Sequence, residues 1–125
     1  MRKAEISDCE LVAMKCVWDA DEPVTCSYVI EQLKTVYDRD YAETTVYTFL
    51  KNLKTKGFID SYRKGITYFV PKRDRNKFRD EQLIKTEKFW FDGSTAELIT
   101  ALLNAKELSD KEKADIKKAV KNALK

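Results

Sequence analysis

The chain has 125 residues, 43% of them apolar and 36% charged, and a net charge of only +3. That suits one domain, or a small domain with an appendage, with enough apolar residues for a core and much solvated helical surface. No apolar run reaches membrane-span length, no signal-peptide pattern opens the chain, and the lack of histidine excludes catalysis or metal binding through imidazole.

Ser7-Asp8-Cys9-Glu10 reads as a capping box that opens a helix running to about Asp19, with Leu11, Met14, Val17 and Trp18 inward. Asp19 to Pro23 is an acidic turn, because the proline disfavours helix just before it. Thr25 then caps a second helix from Cys26 to about Tyr37, with Val29, Ile30, Leu33 and Val36 inward. Cys9, Cys16 and Cys26 are odd in number and lack C-x-x-C spacing, so they are expected to be reduced and mostly buried. Asp38-Arg39-Asp40 leads into the third helix.

That third helix, about 43–56, carries Val46, Phe49, Leu50 and Leu53 at i, i+3, i+4 and i+7, one apolar stripe. The opposite face carries Thr44, Thr48, Lys51 and Thr55, flanked by Tyr47 and Asn52, with no acid beyond Glu43 in the first turn. Gly57 stops the helix as a C′ glycine does. An outer face of hydroxyls, an amide, a phenol and a base suits a polyanion with readable edges. Charge along the chain agrees. Ala4–Glu43 holds three Lys/Arg against ten Asp/Glu, a balance of −7, whereas Thr44–Arg73 holds seven against one, a balance of +6. A basic pole of this kind steers a protein onto nucleic acid.

After Gly57 the period changes to two. Phe58–Arg63 and Ile66–Val70 are β-branched and aromatic runs joined by a two-residue Lys64-Gly65 turn. Three helices followed by a hairpin make a winged helix-turn-helix, its tip marked by Arg63 and Lys64. Thr44, Thr45, Tyr47, Thr48, Lys51 and Asn52 are expected along the major groove, and Lys54, Arg63 and Lys64 on phosphate. Lys51 would read guanine and Asn52 adenine, and Tyr47 or a threonine methyl would meet a thymine methyl.

Pro71 ends the second strand and Lys72–Arg75 is the junction between two expected domains, 1–73 and 74–125. Asp74 caps a helix from Arg75 to about Phe91, and Asp92-Gly93 breaks it. Ser94-Thr95-Ala96-Glu97 and Ser109-Asp110-Lys111-Glu112 read as two more capping boxes. Their helices carry Leu98, Ile99, Leu102 and Leu103, then Ile116, Val120, Ala123 and Leu124, inward. One copy of this region is too small to make its own core, and Phe89, Trp90 and the leucine stripes would be left bare. A symmetric homodimer built on Phe89, Trp90, Leu98, Leu102, Leu103, Ile116, Val120 and Leu124 resolves this, in preference to packing back on the winged helix. The expected fold is thus mainly α with a small β-hairpin: an N-terminal winged helix-turn-helix plus a C-terminal helical dimerisation region.

Trp18, Thr44-Thr45-Val46-Tyr47-Thr48 followed by Leu50, Leu53 and Lys56-Gly57, the tyrosine-rich hairpin, and Phe91-Asp92-Gly93-Ser94 together resemble the penicillinase-repressor family, of BlaI, MecI and CopY type. The resemblance runs from about Ile6 to the last helix. It implies a homodimeric winged-helix repressor on an inverted-repeat operator in double-stranded DNA, controlling a β-lactam-resistance or related stress operon. In members guarding β-lactam resistance, a membrane sensor protease indirectly brings about cleavage of the repressor in its C-terminal part. The corresponding bond here is Ala101–Leu102, where the usual Asn-Phe pair is absent. Copper-responsive members carry a C-x-C motif near the C-terminus, and this chain has no cysteine after Cys26. The expectation is therefore a cytoplasmic, non-enzymatic, cofactor-free DNA-binding protein without membrane insertion. The alternative is a winged-helix protein-interaction module that does not touch DNA.

Overall fold

The computed structural model describes residues 6–125, so the first five residues of the expected 1–73 domain lie outside it. Among the described residues the order is α1 (Asp8–Asp19), α2 (Cys26–Thr35), α3 (Glu43–Thr55), β1 (Ile59–Lys64), β2 (Ile66–Pro71), α4 (Arg75–Phe91), α5 (Thr95–Asn104) and α6 (Asp110–Ala123). The chain divides into two compact units, one ending at Phe78 and the other beginning at Arg79. No helix of the described residues is long and apolar enough to cross a membrane.

In the first unit α1, α2 and α3 close on one core. Ala13, Met14, Val17, Val29, Leu33, Val46, Leu50, Leu53, Phe58 and Ile59 are buried there, while Leu11, Trp18, Ile30 and Phe49 pack partly buried at its edge. These are the stripes that a 3.6-residue period brings together, and each fully buried aliphatic contributes on the order of 2 kcal/mol. Val36 departs from the predicted inward set and is 61% exposed. It is the C-cap of a helix that stops at Thr35, two residues earlier than predicted. Asp38 turns left-handed at φ 53°, and the Arg39 amide donates back to the Leu33 carbonyl at 2.8 Å.

The hairpin closes more tightly than predicted. Lys64 pairs directly with Ile66, leaving Gly65 alone as the turn at φ 76°. Only glycine adopts that backbone without strain. Lys64 thus belongs to β1 rather than to a two-residue loop. Val24 exchanges both backbone hydrogen bonds with Phe69, at 3.0 and 2.7 Å, so the acidic turn is stitched to β2.

The first unit extends one turn into α4, past the predicted 73/74 junction. Phe78 is buried, 5.2 Å from the Phe58 ring and 5.8 Å from Trp18, and the Trp18 indole N–H donates to the Arg73 carbonyl at 2.9 Å. Arg73 lies over the Phe58 ring at 4.7 Å, so one cation of the basic segment is spent on packing.

The second unit is described by itself. α5 and α6 start where predicted, with Ser94 and Ser109 accepting from the amides of Glu97 and Glu112 at 3.2 and 3.1 Å. Glu112 does not complete its box and lies 3.9 Å from Lys106 instead. Only the first box is reciprocal: the Glu10 amide donates to Ser7 Oγ at 3.1 Å, and the Ser7 amide to Glu10 Oε1 at 2.9 Å.

Candidate nucleic-acid interface

The candidate interface is built on α3, which is anchored twice at its C-terminal end. At its C-terminus, Gly57 adopts φ 82°, its amide donates to Lys54 O, and the Phe58 amide donates to Leu53 O at 2.9 Å. That is a Schellman closure with Leu53 and Phe58 as its hydrophobic pair. Toward α1, Lys56 Nζ donates to Glu10 Oε1 at 2.6 Å, and Asn52 bonds to the same carboxylate. Glu10 is buried, which by itself raises its pKa. The Lys56, Ser7 and Asn52 hydrogen bonds outweigh that burial and hold the carboxyl below its ordinary value. The last turn of α3 is therefore tied to the first turn of α1 by a satisfied buried charge.

With the stripe of Val46, Leu50 and Leu53 fully inside, Thr44, Tyr47, Thr48, Lys51 and Thr55 lie outside. Tyr47 is 53% exposed. Thr45 is half-buried at the edge of this face. Thr48 and Thr55 donate their hydroxyls to the carbonyls of Thr44 and Lys51, at 2.9 and 3.1 Å. What these threonines offer outward is therefore lone pairs and methyls rather than free O–H donors.

One predicted reader and one predicted phosphate contact have partners within the unit. Asn52 is exposed as a residue, yet its side chain is hydrogen-bonded to Glu10 on α1. Lys54 Nζ donates to Ser61 Oγ on β1 at 2.7 Å, which draws it toward the hairpin. Arg63 and Lys64 are both exposed on β1. Successive strand residues point to opposite faces, so Arg63 shares the face of Ser61, opposite Thr67, while Lys64 shares that of Tyr62. On this second face Tyr62 and Tyr68 stack at 5.6 Å.

Between helix and hairpin runs a groove of about 650 Å³, lined by Thr25, Cys26, Ser27, Glu43, Thr44, Tyr47, Thr48, Ile66, Thr67 and Phe69. Sequence reasoning missed the contribution of Ser27, Ile66 and Thr67. The signal was present for Ser27, since Thr25 caps α2 with its hydroxyl accepting from the Tyr28 amide, leaving Ser27 exposed in the first turn beside it. No periodicity could have shown that this turn adjoins β2. The three cysteines are free thiols. Burial pushes Cys16 up to about 11 and raises Cys26 as well, aided by the Glu43 charge, which keeps both protonated and unreactive near neutral pH.

On the second unit the predicted dimerisation residues are exposed or half-buried. Phe89 and Trp90 are 75% and 71% exposed and meet edge to face at 4.9 Å. Leu102, Leu103, Val120 and Leu124 are exposed, while Leu98 and Ile116 are half-buried. Ala101, half-buried, and Leu102 lie within α5.

Three helices followed by a hairpin define the N-terminal unit as a winged helix. The penicillinase repressor family model matches residues 6–122, and the chain belongs to that family of transcriptional repressors. Among solved structures, the solution structure of the monomeric form of BlaI from Bacillus licheniformis, in complex with the blaP half-operator, is similar at 26% identity. That match has a TM-score of 0.48 and covers 60% of this chain and 89% of that one. No curated protein sequence matches the chain.

Proposed function

We propose that this chain is a dimeric repressor whose α3 enters the major groove of an inverted-repeat operator while the hairpin contacts the adjacent backbone. The observation that carries the reading is the exposed face of Thr44, Tyr47, Thr48 and Lys51, from which Thr44, Tyr47 and Thr48 line one groove with Ile66 and Thr67 of the hairpin that bears the exposed Arg63 and Lys64. Direct readout then falls mainly to Lys51 on guanine and to Tyr47 and the threonine methyls on thymine. Thr45 lies at the margin of the groove. Asn52 and Lys54 must give up their contacts to Glu10 and Ser61, or share them, before they can reach a base or a phosphate. Repression follows from occupancy: a promoter overlapping the operator is closed to RNA polymerase.

A second copy would cover the apolar faces of α4–α6, and two winged helices would read half-sites about 34 Å apart or a multiple of it. Derepression would follow cleavage at Ala101–Leu102, triggered indirectly by a membrane sensor protease, in a β-lactam-resistance or related operon. The bond lies inside α5, so the helix must open locally before a protease can act.

The test is selection from a randomised duplex pool by the full chain, with sedimentation run in parallel. An inverted repeat enriched by a dimer, and lost in the Lys51→Glu, Lys64→Glu double variant, is the expected result. A monomer that enriches nothing, with no retention on heparin, would leave the protein-interaction alternative in its place.

A further inference from the structure

Glu43 is an anomaly on this face. It lies in the first turn of α3 and lines the groove with Thr44, Tyr47 and Ser27, exposed to solvent. Neither a hydrogen bond nor an ion pair holds it among the described residues. Its neighbours across the groove, Ser27, Ile66 and Thr67, carry no positive charge that could neutralise it. Against the polyanion of the proposed function, a carboxylate in that place is unfavourable beside phosphate and useful only against a donor.

We propose that Glu43 is a specificity-determining residue that selects cytosine at one position of each half-site. The inference rests on α3 lying in the major groove, where the first turn of a recognition helix reaches the base edges. Cytosine offers there a lone N4–H donor, which an ionised carboxylate accepts. Guanine and thymine offer acceptors that repel the carboxylate, and adenine sets an N7 acceptor beside its donor. Glu43 therefore acts chiefly by rejection: the wrong base leaves a desolvated charge without a partner. The helix itself also gains from this residue. Ala42 provides no side-chain cap for α3, and a negative charge in the first turn complements the helix dipole. That structural role predicts a small stability change and no change in base preference.

The two roles separate in the full-length protein. Wild type and Glu43→Gln are each used to select from a randomised duplex pool, and affinities are then measured on the wild-type winner. Wild type is expected to retain cytosine at one position per half-site, with affinity falling about tenfold when that pair becomes T·A. Replacing the same base with N4-methylcytosine, which puts a methyl where the major-groove donor was, should weaken wild type similarly and leave Glu43→Gln unmoved. Glu43→Gln should shift preference at that position toward adenine, the base that an amide pairs with bidentately. If Glu43→Gln instead binds every duplex tighter by one common factor, with the preference unchanged, Glu43 is only a repulsive charge and the inference is overturned while the operator reading stands. If wild type selects no duplex at all, the operator reading fails and takes this inference with it.

Discussion

From Ile6 to Phe78 the apolar side chains close on one another, and the one buried charge, Glu10, is fully hydrogen-bonded. From Arg79 to Lys125 no residue is fully buried, although Phe89, Trp90, Leu102 and Leu124 are as apolar as anything in the first unit. The contrast separates two uses of the same amphipathic pattern. In α1–α3 the stripe is satisfied within the chain, so the outer face is free to be specialised. In α4–α6 the stripe is left largely exposed, a surface of the kind that partners cover.

Leu50→Ala puts this contrast under the greatest strain. It empties a fully enclosed site and should destabilise the first unit by about 3 kcal/mol in denaturant unfolding. A loss below about 1 kcal/mol would mean that this core is loosely packed. Glu10→Gln comes next, at about 2.5 kcal/mol, because Lys56 then loses its anionic partner while Ser7 and Asn52 keep a neutral one. The sign with pH is definite. The folded pKa of Glu10 is depressed, so its contribution is complete above the unfolded value and disappears as pH falls through the folded value. Wild type should therefore lose stability on the acid side more steeply than Glu10→Gln, and parallel acid limbs would refute the assignment.

Trp90→Ala tests the other unit. It should leave the unfolding midpoint of the first unit in place and weaken self-association by about 2 kcal/mol, read by sedimentation at several concentrations. A shift in unfolding without a change in association would invert the comparison. Smaller effects belong to the outer face. Lys51→Ala should lower affinity for the selected duplex by about 1.5 kcal/mol and hardly alter nonspecific binding. Lys64→Ala should weaken all sequences alike by less than about 1 kcal/mol and flatten the salt dependence.

Much of this was legible because helices announce themselves locally. Ser7, Thr25, Ser94 and Ser109 mark four helix starts, and Gly57 marks the stop of α3, each through bonds made within five residues. The stripe of Val46, Leu50 and Leu53 likewise stated which side of α3 would face solvent. Periodicity names the inner face but not the neighbour lying against it. That Asn52 and Lys56 would meet Glu10, that Lys54 would meet Ser61, and that Arg73 would cover Phe58 are contacts between distant segments. Val36 was misjudged for a different reason: the apolar pattern ran on past Thr35, where α2 stops ahead of the left-handed turn at Asp38. The one-residue turn at Gly65 was hidden too, since Lys64-Gly65 reads equally well as two turn positions until the register is known.

That turn has a geometric outcome for the wing. A ribbon folded over a single residue has no slack at its end, so the guanidinium of Arg63 and the ammonium of Lys64 are committed to opposite flanks by alternation alone. The wing therefore straddles whatever runs past its edge instead of pointing both charges at it. Adding one residue to β1 just ahead of Arg63 would exchange the two flanks relative to the rest of the strand while keeping both charges.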